Sequence, residues 1–162
     1  MRVVLSLVAS LVLALSLAGG AAAASGAPIR GSFDSGYNSF VDTEVCAAAP
    51  WGFDVNATEH EYGFYELWLD ANGDFDRAIV HLNYDAWISA NGNTIVERDT
   101  WTLFVDERGT YDVGLTVHIQ GPGGIVVRDA GQIVRDADGN LLWTRGPHEQ
   151  LFDVSFCPAL AV

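Results

Sequence analysis

The sequence predicts an all-β protein whose strands run up and down in an antiparallel meander. Many short runs alternate apolar and polar residues, turn signals rich in Gly, Asn and Asp separate them, and no stretch has a convincing helical period. Strands of this number and twist leave exposed edges unless they close. We therefore expect an up-and-down β-barrel of about eight strands. The alternative is a two-sheet β-sandwich.

Residues 1–24 are predicted to be a secretory signal peptide. Met1-Arg2 is a short basic start, residues 3–17 form an apolar run, and Ala22-Ala23-Ala24 provides a small-residue cleavage site. A membrane anchor is the weaker interpretation, because the run is shorter than the ~20 residues that span a bilayer. We expect a secreted, extracellular protein with no membrane insertion after signal cleavage. Residues 25–42 would form a flexible N-terminal arm, and residues 43–162 a single β-barrel domain.

The chain is strongly acidic. Its formal net charge is −13, and it contains no Lys, so every permanent cation is an Arg. Such a surface repels phosphate backbones and anionic lipids, which excludes nucleic acid and membrane surfaces as expected partners.

The clearest predicted element is a long hairpin over residues 75–106. Asn91-Gly92 is a strong signal for a two-residue hairpin turn. With that turn, Val80 faces Leu103 on one side of the hairpin and Asp85 faces Arg98 on the other. Apolar residues therefore mostly oppose apolar residues on one face, and polar residues mostly oppose polar residues on the other. The other predicted strands are a short one near Cys46, Phe53–Tyr62, Phe64–Leu69, Thr110–Gln120, Ile125–Arg135, Leu141–Arg145 and Gln150–Phe156. Across the turn at residues 121–124, Gly114 is expected to face Gly131, which suits a barrel corner or a close backbone approach.

The chain has two cysteines, Cys46 and Cys157. An even count in an oxidising compartment predicts one intramolecular disulfide. This bond would join the two ends of the domain, where the first and last strands of a barrel meet. The loop-entropy relation gives ~4–5 kcal/mol for so long a loop.

One face of the hairpin is apolar except at two carboxylates. Glu97 and Asp99 interrupt it opposite Ala86 and Tyr84. If this face lines the interior, burial would raise the pKa of both acids, and either could be a general acid, a general base or a ligand anchor. We favour solvated positions near the barrel rim, because both residues lie close to the turn.

The other hairpin face carries His81, Asn83 and Asp85 opposite Thr102, Thr100 and Arg98. A solvated outer face is the favoured interpretation, and a polar lumen is the alternative. Elsewhere, His118 is predicted to lie one diagonal step from Asp129. No histidine spacing matches a metal-binding motif, so we expect no metal and no cofactor.

Several short motifs resemble those of a group of small secreted β-rich proteins from high-GC bacteria. The motifs are Glu44-Val45-Cys46, Arg77–Leu82, Asp129–Val134, Asp138-Gly139-Asn140, Gly146-Pro147-His148 and Cys157–Leu160. The resemblance covers most of the chain after the signal peptide. It implies export and a β-rich fold, and it implies no activity. The sequence departs from the group at residues 47–51, where a glycine-phenylalanine-proline run is expected.

These observations predict a non-enzymatic secreted barrel that binds a small hydrophobic or amphipathic ligand, since about eight strands leave room for one small molecule. One alternative is an isomerase- or cyclase-like barrel enzyme that uses Tyr84 with Asp99 or Glu97. Another is a structural, envelope-associated protein without a pocket. The candidate ligand-binding residues are Tyr84, Glu97, Asp99, Trp101, His118 and Asp129.

Overall fold

A computed structural model describes residues 26–148 and 156–161. The predicted signal peptide and nearly all of the predicted strand at residues 150–156 lie outside these ranges. The described chain is all-β, with seven antiparallel strands in one sheet whose spatial order follows the sequence. The strands are β1 Ile29–Asp42, β2 Val55–Leu69, β3 Phe75–Ala90, β4 Asn93–Asp106, β5 Gly109–Gly121, β6 Gly124–Asp136 and β7 Leu141–Arg145, and a short helix, α1, spans Cys157–Leu160.

The predicted up-and-down meander is confirmed, whereas the closure of the sheet is not observed. Strands β1 and β7 form the two edges and do not pair with each other within the described ranges. The described strands form one sheet rather than the two sheets of a sandwich. No helix in the described part of the chain is long and apolar enough to cross a membrane.

The long hairpin of β3 and β4 has the predicted register along its whole length. Val80 pairs with Leu103, and Asp85 pairs with Arg98. The turn residues Asn91 and Gly92 have φ values of 51° and 82°. Positive φ at both central positions defines a type I′ turn, whose twist matches that of the flanking strands. Asn-Gly is the preferred sequence of this turn.

Two secondary-structure predictions at the start of the domain are wrong. The arm predicted to be flexible is largely strand β1, which pairs along β2 from Ile29 to Asp42. Most β1 side chains are exposed, so this edge strand lacks the apolar alternation that would have revealed it. Cys46, predicted to lie in a strand, lies in a turn.

The two strands predicted at residues 53–62 and 64–69 are one continuous strand, β2. Gly63, which suggested a break between them, lies within the pairing with β3. A Cβ atom at this position would overlap the carbonyl oxygen of His81. The glycine therefore marks a close approach of two strands rather than a turn.

The buried side chains share one face of the sheet, which we call the inner face. Within the described chain no second layer covers Val80, Leu82 and Leu103, yet each is buried. A larger buried cluster fills the end of this face nearest the β3–β4 turn and consists of Cys46, Val55, Ala86, Ile88, Ala90, Ile95, Val117, Ile119, Val127, Cys157 and Leu160.

The predicted disulfide between Cys46 and Cys157 is present and belongs to that larger cluster. It holds α1 against the β3–β4 end of the sheet. The Asn91 side-chain amide donates to the carbonyl oxygen of Leu160 at 3.2 Å, and that of Asn93 donates to the carbonyl of Ala161 at 3.3 Å. The turn that sets the hairpin register thus also anchors the C-terminal helix.

Three glycines form a row across β5, β6 and the end of β7. Gly114 pairs with Gly131 as predicted, and Gly146 lies beside Gly131. Their φ values are 139°, 135° and 111°, a region that residues with a Cβ rarely adopt. A Cβ at Gly131 would overlap the carbonyl oxygen of Arg145. The row therefore marks a close approach of neighbouring backbones at one level of the sheet.

Candidate functional site

Six carboxylates occupy inner-face positions near the middle of the sheet. In one row Glu59 pairs with Ala86 and Ala86 with Glu97, and in the next row Glu61 pairs with Tyr84 and Tyr84 with Asp99. Directly opposed residues share a face, so these acids lie on the face that carries the buried Leu82 and Ile88. We call the six the acidic belt, and its members are Glu59, Glu61, Glu97, Asp99, Asp112 and Asp129.

Asp99 is buried at 5% exposure, so the favoured prediction of a solvated rim position is wrong for this residue. The backbone N–H of His118 donates to its Oδ1 at 2.6 Å, and its carboxyl group hydrogen-bonds to that of Glu97. Burial raises the pKa of Asp99 far above its usual range, and the charges on Glu97 and Asp129 raise this pKa further. Burial also raises the pKa of Glu97.

The Tyr84 hydroxyl donates a hydrogen bond to Glu59 Oε2 at 2.9 Å. Burial raises the pKa of the Tyr84 phenol, and the charges on Glu97 and Glu59 act in the same direction. The phenol therefore stays protonated and donates to a carboxylate. Beside it, the pKa of Glu61 is raised by burial and by the charge on Glu59.

Trp101 and Asp112 lie one and two rows from the Tyr84–Asp99 row, towards the other end of the sheet. Trp101 is half-buried and packs against the cluster of Val80, Leu82 and Leu103. Asp112 pairs with Leu103. Burial raises the pKa of Asp112 to about 6, although the positive charge of Arg135 lowers it in part. The polar belt thus borders an apolar region that contains an aromatic ring.

Asp129 is buried at 2% exposure and pairs with Val117 on β5 and with His148 beyond β7. His148 is also buried, at 3% exposure. Its Nε2 lies 3.3 Å from the carbonyl oxygen of Arg145. Its Nδ1 has no hydrogen-bond partner in the described part of the chain. A buried imidazole with one unsatisfied nitrogen therefore lies beside the belt.

His118 does not join Asp129 through its side chain. A one-residue irregularity between Leu115 and Val117 shifts the register, so His118 pairs with Arg128 and Asp129 pairs with Val117. Successive strand residues alternate faces, which places the His118 imidazole on the outer face. Only the backbone N–H of His118 reaches the belt, through Asp99.

The other hairpin face is the outer face of the sheet. Here the predicted Asp85–Arg98 pair has its closest atoms 3.9 Å apart and is largely solvent-exposed, so it contributes little to stability. Thr102 and His81 Nδ1 lie 2.9 Å apart. This agrees with the favoured interpretation of a solvated outer face and not with the alternative of a polar lumen on this side.

Sequence reasoning placed Tyr84, Glu97, Asp99 and Trp101 on one face, and the structure brings them together. The sequence reasoning did not identify four further residues of this site, Glu59, Glu61, Asp112 and His148. The alternation of Val55, Ala57 and Glu59 was visible, but only the β2–β3 register shows that this alternation points inwards. No such local pattern distinguishes His148, because its contact with Asp129 is long-range.

A separate open cleft of about 530 Å³ lies near the β4–β5 turn and contains none of the predicted site residues. Its lining is mostly apolar and includes Ile79, Phe104, Tyr111 and Val134 together with three arginines. Over the residues that are described, no three His, Cys, Asp or Glu side chains are arranged to hold a metal ion.

No family model, no curated protein and no solved structure matches this chain.

Proposed function

We propose that the protein is a secreted binding protein that holds one small amphipathic molecule on the inner face of its sheet. The observation that carries the proposal is the position of Asp99. A buried acid, hydrogen-bonded to a second acid, is costly on a face made largely of apolar side chains, and such groups concentrate at functional sites.

The inner face offers two surfaces of different chemistry next to each other. Leu82 and Leu103, with the ring of Trp101, form an apolar surface that removes a hydrocarbon group from water at about 25 cal/mol per Å². The belt supplies oxygen acceptors one to two rows away. Tyr84, Glu97 and Trp101 are only half-buried, so solvent reaches this region and a ligand can follow the same route.

A closed barrel remains part of this proposal. Paired glycines at Gly114 and Gly131 support it because they bend neighbouring strands at the same level. The bond between Cys46 and Cys157 supports it because it joins the region after β1 to the end of the chain. Secretion is supported by the disulfide together with the predicted signal peptide.

An acid–base enzyme, of isomerase or cyclase type, is the second candidate. The observation in its favour is that Asp99, protonated at neutral pH, stands beside Glu97 and near Tyr84. A neutral carboxylic acid donates a proton or a hydrogen bond where an ordinary aspartate only accepts. Turnover that is lost in Asp99→Asn, with ligand affinity retained, would favour this candidate over simple binding.

Fluorescence titration with N-phenyl-1-naphthylamine, a neutral apolar dye, tests the binding function. We expect saturable binding at micromolar concentrations, with about tenfold weaker binding in Trp101→Ala because the variant removes inner-face contact area. Phe104→Ala is the matched control, since Phe104 is exposed on the outer face and lines the separate cleft. Absence of binding, or weakening by the Phe104 variant alone, would contradict the proposal.

A further inference from the structure

We propose that the ligand's polar group is a protonated amine or guanidinium, whose N–H groups are received by the acidic belt and by Nδ1 of His148. This inference rests on the proposed binding function and specifies the ligand class. It follows from the hydrogen-bonding capacity of the inner face, from the position of His148 and from the distribution of the arginines.

The free nitrogen of His148 is an acceptor. A carbonyl oxygen only accepts hydrogen bonds, so the contact of Nε2 with the Arg145 carbonyl, at 3.3 Å, places the proton on Nε2. In the neutral ring Nδ1 then carries a lone pair. This atom is buried and receives no hydrogen bond from any described residue. A buried acceptor without a donor is costly, and a ligand donor would remove that cost.

His148 belongs to the same surface as the belt. It is paired directly with Asp129, and directly opposed residues of an antiparallel pair share a face. Asp129 is close enough to Asp99 for its charge to act on that group. The imidazole therefore extends the belt at its β6 side.

The belt has many acceptors and few donors. The Tyr84 hydroxyl already donates a hydrogen bond to Glu59, and the His118 backbone N–H donates one to Asp99. Together with the proton that Asp99 and Glu97 share, these two donors serve four carboxyl groups in neighbouring rows, Glu59, Glu61, Glu97 and Asp99, which offer eight oxygen atoms. A donor-rich ligand complements such a surface, whereas a carboxylate or phosphate would be repelled by it.

No described arginine contributes to the pKa shifts of Glu61, Glu97 and Asp99 in the middle of the belt. Arg135 occupies an inner-face position of β6. Its Nη1 donates a hydrogen bond to the Gly139 carbonyl in the β6–β7 turn at 3.3 Å. Its positive charge lowers the pKa of Asp112. The arginines Arg98 and Arg145 pair with outer-face partners. The chain contains no Lys. The missing positive charge is the one that an alkylammonium or guanidinium ligand would bring.

A matched series of eight-carbon amphiphiles tests the inference by displacement of N-phenyl-1-naphthylamine at pH 7. The probes are octylamine, octyltrimethylammonium, octanol and octanoate. An alkylamine, like a lysine side chain, is protonated at this pH. We expect octylamine to displace the dye at least tenfold more effectively than octanol, and octanoate to be the weakest. Octyltrimethylammonium, which is charged but has no N–H group, should fall between octylamine and octanol.

The results separate this inference from the binding function on which it rests. If the dye binds and all four amphiphiles displace it equally, or octanoate displaces it best, the amine inference is wrong and the binding function stands. If the dye does not bind at all, both are wrong.

Variants test the named acceptors. We expect His148→Phe to reduce octylamine affinity about fivefold or more and to leave octanol affinity within twofold. His81→Phe, on the outer face, is the matched control. If His148→Phe does not fold, as judged by circular dichroism and dye binding, Asp99→Asn replaces it, because the amide keeps the shape and removes an acceptor oxygen. Unchanged selectivity for octylamine over octanol in the folded variant would overturn the inference.

Discussion

The side chain of Asp99 is buried next to a second carboxyl group, that of Glu97. Two adjacent acids with little access to water do not both ionise at neutral pH, so they share protons and titrate as a pair. The backbone N–H of His118 fixes one oxygen of Asp99. The pair is therefore a preorganised polar site that the fold keeps at a cost in stability.

Asp99→Asn is expected to raise the free energy of unfolding at pH 8 by roughly 1–3 kcal/mol, measured by urea denaturation. The pKa of Asp99 is higher in the folded chain than in the unfolded chain, where it is about 3.9. The folded state therefore binds the proton more tightly, and the stability that this supplies is complete below about pH 4 and is lost as pH rises through the folded pKa.

The wild-type protein should consequently lose stability between pH 4 and pH 8, and the variant should lose less. Asp85→Asn, on the outer face, is the control and should change stability by no more than about 0.5 kcal/mol. A variant that is less stable than wild type at pH 8, or equally dependent on pH, would show that Asp99 is not held in its protonated form.

At the scale of the strands, local chemistry determined which elements could be predicted. The β3–β4 register followed from Asn91-Gly92, because a two-residue turn fixes every pair along both strands. Strand β1 was missed because its side chains are mostly exposed and leave no apolar period. The register shift after Leu115 was missed because bulges carry no strong sequence signal, and it moved His118 to the other face.

The site was predicted only where one hairpin contains it. Tyr84, Glu97 and Asp99 lie on β3 and β4, so a correct turn was enough to bring them together. Glu59 and His148 come from β2 and from the region after β7, and their approach depends on pairings that are remote in sequence. Burial of Asp99 was also unpredictable from the hairpin alone, because groups on β5 and β6, the His118 N–H and the Asp129 carboxyl, also surround it.

Gly131→Ala is expected to destabilise the protein by about 2 kcal/mol or more, measured by chemical denaturation. Its φ of 135° is unfavourable for a residue with a Cβ, and that Cβ would overlap the Arg145 carbonyl oxygen. Gly123→Ala is the control, because a Cβ there meets nothing within 4 Å. Equal effects of the two substitutions would contradict a close approach of backbones at the glycine row.

At the scale of the whole molecule, the two halves of the inner face have different roles. The half nearest the β3–β4 turn is filled by the apolar cluster around the Cys46–Cys157 disulfide and by α1. Closing a loop with a sequence separation of 111 contributes about 5 kcal/mol in the chain-entropy relation. The acidic belt follows in the middle of the face, and the smaller cluster of Val80, Leu82 and Leu103, with Trp101, lies beyond it. Rigidity at one end of the face would support the binding surface that we propose in its middle.

The most direct test is to record the carboxyl ¹³C resonances of the isotope-labelled protein by NMR while octylamine is added. We expect the resonances of Glu59, Glu97 and Asp99 to shift together and to saturate, because an amine on the inner face changes their hydrogen bonds and their charge. The resonances of Asp85 on the outer face and of Asp106 beside the separate cleft should stay unchanged. Shifts confined to Asp106 and Asp85, with the belt unaffected, would contradict a binding site on the inner face.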